Sequence, residues 1–320
     1  MNTSGPSDDA LWLIDQLADG HWHSGEALAA EAGISRAALS KRVAALERIG
    51  LLVESRSGLG YRLAEALQPL VLADMDLPSG LRSSVVRVTT STNADLLAAD
   101  AALDPQVRFA EFQLAGRGRR GRVWQAPYGR QLMMSMAWSF PSWLEDLGCL
   151  PLAVGVCVAR TLHQLGAPTV QVKWPNDLVV DGRKLGGILM EHRGEIGGAC
   201  RVVMGLGLNL QRFADAHAPD QAWTSLDQLL PRPVSRNAVA AAITQALHDL
   251  LADYPRRGFA VWRAQWSAVD VSLGRAVRIL GVDPVIEGVA DGVDARGALR
   301  VLTTTGPVSV YSGEVSMRWA

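Results

Sequence analysis

The chain has 320 residues and a formal net charge of −1, long enough for two or three domains and a sizeable core. Balanced charge excludes a global attraction to nucleic acid or an anionic membrane, so any anion site must be local. Three cysteines, Cys149, Cys157 and Cys200, fit neither metal-ligand spacing nor a disulfide framework, which points to reduced thiols and a cytoplasmic setting.

No Cys or carboxylate cluster joins His21 and His23, so no protein-built metal cage is expected. The first residues, Met1 to Pro6, lack the basic and apolar segments of a secretory signal. The longest apolar run, Cys149 to Ala159, is too short to span a bilayer and reads as a buried helix; no membrane partner is expected.

Leu11, Trp12, Ile14, Leu17 and Ala18 recur at helical spacing. A second helix follows Ser24 as cap, and a third runs from Ser35 to Arg48 after the tight Gly33-Ile34-Ser35 connection. Helix, short glycine turn, helix over about Gly25 to Ala44 is the helix-turn-helix pattern. Two alternating segments, Leu51 to Glu54 and Tyr61 to Leu63, form a hairpin and make it winged. Between residues 36 and 62, Arg36, Lys41, Arg42, Arg48, Arg56 and Arg62 against Glu47 and Glu54 leave a local charge of +4, while residues 1 to 35 are acidic. A DNA reader needs that distribution, with Ser35, Arg36, Ser40, Lys41 and Arg42 at the start of the recognition helix. The alternative is a small helical module for protein contact. Ala64 to Gly80, with Pro69 and Pro78, reads as a linker.

In the central region, a strand at Val85 to Val88 runs through Ser91-Thr92-Asn93 into a helix. That trio is equally suited to capping the helix and to touching a ligand. A strand at 107 to 112 delivers Gln113 and then Gly116-Arg117-Gly118-Arg119-Arg120-Gly121-Arg122-Val123-Trp124. Glycines allow close approach of a ligand, and arginines offer planar charged forks for carboxylate or phosphate. The run reads as a mobile loop folding over an anionic ligand. The competing readings are a dinucleotide fingerprint, which should open a helix where this sequence reads as loop, and a solvated basic turn. Gln131 to Ser139 is a strand with one face against a core, followed by a helix from about Leu150 to Leu165. Lys173-Trp174-Pro175-Asn176-Asp177 gathers polar chemistry at a strand end, and Asp181-Gly182 turns a hairpin. Lys184 then opens a glycine-bearing strand and points either to solvent or into a pocket. Arg201 to Asn209 is another strand with two glycines, residues 211 to 222 read as a second mobile loop, and Ser235 starts an amphipathic helix. Near the end, four short strands begin at Ala276, Val285, Leu299 and Val308, with hairpin signals at Asp291-Gly292 and Arg296-Gly297.

Ser91-Thr92-Asn93, the GRGRRGR run with Trp124, KWPND at 173 to 177 and RKLGGIL at 183 to 189 together resemble the biotin protein ligases, in the family's order and at similar spacing. With the winged helix in front, the whole chain resembles the bacterial ligases that double as biotin operon repressors. Gly186 stands where some members have Ala. The resemblance implies an α+β multidomain protein: a winged helix-turn-helix domain at 1–66, a class-II-synthetase-like α/β ligase domain with a mixed sheet at 67–270, and an SH3-like β-barrel at 271–320. It implies ligation of biotin, through biotinyl-5′-AMP, to a lysine of the biotin carboxyl carrier protein of acetyl-CoA carboxylase. ATP and Mg²⁺ are the implied co-reactants. It also implies an adenylate-dependent homodimer that represses at operator DNA. Residue by residue, it implies biotin contacts at Ser91, Thr92, Asn93, Gln113, Arg117, Gly118, Arg119 and Lys184. Nucleotide contacts fall at Arg120, Arg122, Trp124, Lys173, Asn176 and Asn209. Lys184, Arg119 and Asp177 are the catalytic candidates, with Asp177 as base or near Mg²⁺. Rival readings are a lipoate protein ligase and a ligand-sensing transcription factor without ligase activity.

Overall fold

A computed structural model describes residues 5–213, 221–232, 234–313 and 315–319. Its first unit holds helices α1 (Asp8–Leu17), α2 (Gly25–Glu31) and α3 (Arg36–Glu47) and a hairpin of β1 (Val53–Arg56) and β2 (Gly60–Leu63). Each helix starts where a serine satisfies an orphan N–H: Ser7 accepts from Ala10, Ser24 from Ala27 and Ser35 from Ala38. Leu13, Leu17, Leu39, Leu46, Leu51 and Leu63 fill the core between them. Leu13 is the residue that the helical reading passed over, whereas Leu11 and Trp12 stay partly exposed.

The central unit is a seven-stranded mixed sheet in the order β3-β4-β5-β9-β8-β7-β6. β3 (Arg82–Thr89) and β4 (Gln106–Gln113) are parallel, joined over α4 (Thr92–Ala98). All other neighbours are antiparallel: β5 (Gln131–Phe140), β6 (Gln171–Lys173), β7 (Asp177–Val180), β8 (Arg183–Gly194) and β9 (Cys200–Asn209). α5 (Leu150–Gln164) packs on the sheet, with α6 (Arg236–Arg257) and α7 (Ala260–Val269) against it. Leu96 of α4 packs with Ala137 and Val203 on the sheet. β5 is therefore buried on both faces over nearly its whole length, not on one as its alternation suggests.

The stretch Leu147–Gln164 has the length and apolarity to cross a membrane, yet it is 72% buried inside the protein as a core helix. Burial also pushes the Cys149 and Cys157 thiols up to about 12, which keeps them protonated and inert.

The last unit is an antiparallel five-stranded sheet in the order β13-β12-β11-β10-β14. Its strands are β10 (Ala276–Leu280), β11 (Ile286–Val293), β12 (Leu299–Thr303), β13 (Gly306–Val310) and β14 (Ser316–Trp319). Asp291-Gly292 is not a hairpin turn. It lies within β11, where the register to β12 shifts between Ala290 and Val293 and Gly292 takes a φ of +74°. Arg296-Gly297 does turn the chain. β14 has no counterpart in the sequence reading. The hydrophobic core of this unit is continuous with that of the central sheet. The buried Trp174 indole donates to the Gly297 carbonyl across the join at 3.1 Å. Ala64 to Gly80 is no loose connector: Leu70 and Met75 are buried, and the backbone of Leu70 donates to Glu111 at 2.6 Å.

Candidate active site

A cavity of about 520 Å³ opens between the ends of β4, β6 and β7, the glycine-rich strands β8 and β9, the arginine loop and β14. Every ligase residue singled out in the sequence lines it, from Ser91 to Asn209. Its floor is backbone. A Cβ on Gly207 would stand 2.5 Å from the Trp124 indole, and one on Gly205 would stand 2.4 Å from Asn93 Oδ1. The glycines of β9 thus let two functional side chains lie directly on the sheet.

One end is neutral and buried. Ser91 caps α4 by accepting from Ala94, so the capping role is real, and Thr92 and Asn93 form the first turn. Gln113 Oε1 accepts from the Thr92 N–H at 2.7 Å and from its hydroxyl at 3.1 Å. The Ser135 hydroxyl, from the middle of β5, lies 2.7 Å from Thr92 Oγ1 and 2.5 Å from Asn93 Oδ1. Asn93 Nδ2 donates to the Leu189 carbonyl at 3.2 Å and to Glu191 at 2.9 Å. Two acceptors on one amide nitrogen fix its orientation.

The other end is cationic. The arginine loop is a small hairpin, with Trp124 N–H donating to Gly116 at 2.8 Å and Gly118 N–H to Arg122 at 2.7 Å. Arg119–Gly121 makes one 3-10 turn, which Arg120 closes at a φ of 59°. The loop opens no helix, which removes the dinucleotide reading. Arg119 donates to the carbonyls of Ser312 and Gly313, and Arg117 faces Glu191 at 3.5 Å. Lys184 points into the cavity, where Nζ lies 2.7 Å from Asp177 Oδ1 and 5.5 Å from the Trp124 ring centre. Lys173 lies over Trp319 at 5.0 Å. Burial holds its ammonium below the usual lysine range, helped by Arg318, Lys184 and Arg122 and opposed by Asp177. Asn176 and Asn209 reach the cavity, but their side-chain amides also hold backbone. Asn176 donates to Ile188 at 2.7 Å, and Asn209 to Lys184 and Thr224 at 3.3 and 3.1 Å.

A second surface lies on α3. Arg36, Ser40 and Lys41 are exposed on one side of the helix with the small Ala37 and Ala44, beside the exposed wing tip with Arg56. Ser35 spends its hydroxyl on the helix cap. Arg36 pairs with Glu26 at 2.7 Å, and Arg42 turns back to Asp9 of α1 at 2.7 Å.

Residues 83–209 match the biotin/lipoate A/B protein ligase family, residues 272–318 the biotin protein ligase C-terminal domain, and residues 13–62 a helix-turn-helix domain. The bifunctional ligase/repressor BirA of Escherichia coli is 37% identical over 97% of this chain and 97% of its own. A biotin–[acetyl-CoA-carboxylase] ligase of Mycobacterium tuberculosis is 34% identical over 74% of this chain and 90% of its own. This chain belongs to the bifunctional biotin ligase and repressor family. Among solved structures, the Aquifex aeolicus biotin protein ligase in complex with biotin and ATP shares the fold, with a TM-score of 0.64 at 23% identity over 75% of this chain and 99% of its own.

Several groups in or behind the cavity wall of this family member escaped the sequence reading: Trp223 lines the cavity, whereas Ser135 and Gln131 lie buried behind it. Ser135 is the one hydroxyl in the apolar stretch Leu132 to Trp138 of β5, and that isolation marks it in the sequence. Gln131, 1% exposed, accepts the Trp124 indole N–H at 2.7 Å. Trp223 stacks on Phe213 at 4.3 Å, and its neighbours pair with β8: Lys184 N–H donates to Ala222 and Thr224 N–H to Lys184, each at 2.9 Å. These contacts frame the loop read at 211 to 222, whose residues 214–220 lie outside the described ones. β14 closes the wall with Ser316, Met317 and Arg318.

The donor set does not fit a protein-held magnesium ion. Asp177 is the one carboxylate among the described cavity-lining residues, and it is paired with Lys184. Among the described residues, no group of three or more His, Cys, Asp or Glu side chains is arranged to hold a metal.

Proposed function

We propose that this cavity joins biotin to ATP, giving biotinyl-5′-AMP and pyrophosphate, and then passes the biotinyl group to one lysine of a biotin carboxyl carrier protein, that of acetyl-CoA carboxylase. The convergence of four separate sequence motifs on one cavity, neutral at one end and cationic at the other, carries this reading. A ureido ring has one acceptor and two donors and no charge, which suits Ser91, Thr92, Asn93 and Gln113 with Ser135 behind them. Arg117, Gly118 and Arg119 continue that wall toward the biotin carboxylate.

In the first step a carboxylate oxygen attacks the α-phosphorus and the bond to pyrophosphate breaks. Two anions must meet, so fixed cations have to offset their repulsion and the charge of the transition state. Lys184 is the bridge between carboxylate and phosphate, held ready by Asp177. Arg120, Arg122 and Lys173 take the phosphates, Trp124 packs against the adenylate, and Asn176 and Asn209 border the nucleotide. In the second step the carrier's lysine amine attacks the acyl carbon and AMP leaves, with Asp177 as base for that amine. Closure of the arginine loop excludes water from the mixed anhydride. Any Mg²⁺ travels with the ATP phosphates rather than in a protein site.

The exposed face of α3 and the wing support operator binding, with biotinyl-AMP favouring a homodimer on a two-fold operator. Buried reduced thiols support a cytoplasmic setting. The deciding experiment is transfer of labelled biotin to a carrier domain with and without ATP. Labelling that requires ATP supports the ligase reading. No labelling, or pyrophosphate exchange driven by lipoate instead of biotin, overturns it. For repression, operator affinity is compared between the apo and adenylate-bound protein, and equal values sink the coupling.

A further inference from the structure

One carboxylate stands where the neutral and cationic ends of the cavity meet, and neither the sequence motifs nor the proposed chemistry uses it. Glu191 of β8 pairs with Val203 of β9, and Val203 packs with Leu96 of α4. Directly opposed residues share a face of the sheet, so Glu191 lies on the side that α4 covers. It does not line the cavity but stands behind Asn93. Its Oε2 accepts from Asn93 Nδ2 at 2.9 Å, and its Oε1 faces Arg117 of the arginine loop at 3.5 Å. The side chain is 29% exposed, so an isosteric change there disturbs no core.

An ionised carboxylate accepts hydrogen bonds and cannot donate them, whereas an amide does both. Glu191 and the Leu189 carbonyl therefore hold Nδ2 of Asn93 on their side and turn Oδ1 toward Ser135. Ser135 has one hydroxyl proton and two neighbours, Asn93 Oδ1 at 2.5 Å and Thr92 Oγ1 at 2.7 Å. With Oδ1 facing it, the nearer acceptor is Asn93. If the amide turned over, Nδ2 would donate to Ser135, and the Ser135 proton would go to Thr92 instead. Asn93 cannot escape by shifting, because it lies on Gly205 so closely that a Cβ there would stand 2.4 Å from Oδ1. One carboxylate outside the cavity thus decides which way protons point inside it.

We propose that Glu191 is a positioning residue for Asn93: as an acceptor-only anchor with Arg117 as counter-ion, it fixes the donor and acceptor directions of the neutral end and thereby its affinity for the uncharged ureido ring. A ring with one acceptor and two donors is matched by one arrangement of those protons and opposed by the reverse. Glu191→Gln keeps the size and removes the constraint. Its amide can donate to a turned-over Asn93 as well as accept from the present one, so only the Leu189 carbonyl still resists the turn. This inference deepens the ligase reading above and rests on it.

The test measures biotin binding by calorimetry, and KM for ATP by pyrophosphate exchange, in the full chain as wild type, Glu191→Gln, Asn93→Asp and the double variant. Glu191→Gln weakens biotin about five- to tenfold and leaves KM for ATP within about twofold. Asn93→Asp sets two carboxylates against each other and weakens biotin about tenfold or more. The double variant recovers about fivefold over Asn93→Asp alone, because the new amide donates to the new carboxylate. A side chain that merely fills space behind Asn93 predicts the opposite pattern: a silent Glu191→Gln and no recovery. Either of those results, or an equal rise for biotin and ATP in Glu191→Gln, overturns the inference. If Asn93→Asp fails to fold, Glu191→Gln alone decides. A wild type that binds no biotin defeats the ligase reading and this inference with it. Wild-type binding with an insensitive Glu191→Gln defeats the inference alone.

Discussion

The two ends of the cavity are built on opposite principles. At the neutral end, Ser91, Thr92 and Asn93 are each 4% exposed and Ser135 is fully buried. They sit on the first turn of a helix and in the middle of a strand, and each hydrogen bond orients the next. At the cationic end, Arg117, Arg120 and Arg122 are exposed on a one-turn loop. On the proposed assignment of the site, the difference follows from what each end recognises. An uncharged ring is distinguished by the direction of a few donors and acceptors, and buried unmatched partners are what penalise the wrong ligand. Phosphates change number and geometry during the reaction, and charged forks on a surface loop tolerate that change. Lys184 stands between the two regimes, half screened and tied to Asp177.

Lys184→Ala should break the junction and have the largest effect. Biotin-dependent ATP–pyrophosphate exchange should fall by about 10² to 10³, the scale of losing one pre-aligned charge at a transition state. Near-normal exchange would take Lys184 out of the chemistry. Arg119→Gly tests the cationic end as a lid rather than a catalyst. Adenylation should persist while free biotinyl-AMP accumulates about tenfold or more faster, because water and solvent reach the anhydride. Unchanged retention of the intermediate would refute that role. Gly207→Ala attacks the floor that both ends share. The added methyl collides with the Trp124 indole, so KM for ATP should rise about tenfold with a smaller change for biotin.

The cationic end was the more legible of the two in the sequence. Seven residues from Gly116 to Arg122 advertise it by composition alone, and Lys173 to Asp177 stand at a visible strand end. The neutral end was half legible. Ser91, Thr92, Asn93 and Gln113 lie at element boundaries where polar residues attract notice, but Ser135 comes from the far strand β5, and only the pairing of α4 with the sheet brings it there. Gln131 and Trp223 were missed for the same reason: each acts through a partner distant in sequence or in an irregular segment. Helix starts were readable because serine caps are local chemistry. The Asp291-Gly292 bulge was misread because a glycine at positive φ serves a turn and a bulge alike. β14 was missed because four residues give too little periodicity to separate a strand from a tail.

Smaller effects sharpen the contrast. Ser135→Ala removes one hydroxyl and leaves Asn93 Oδ1 without a donor, which costs about 1 to 1.5 kcal/mol. Biotin binding by calorimetry should weaken about five- to tenfold, while KM for ATP stays put. A shift in the ATP value instead would mean the two ends are not separable.

Lys173→Met carries the smallest effect on stability, and its sign discriminates. Burial lowers the folded-state pKa of Lys173, so the unfolded chain binds more protons between that lowered value and the ordinary lysine pKa. Stability of the native protein therefore rises with pH across that window, and below it the buried charge is a standing cost. The Met variant escapes the cost, so its unfolding midpoint should match or exceed the native one at neutral pH. Its advantage should shrink as pH climbs through the lowered pKa. Exchange activity should fall in the same variant, as the proposed role of Lys173 in holding the phosphates requires. A variant that is less stable at neutral pH and gains relative stability in alkali would reverse the sign and remove Lys173 from the cationic end.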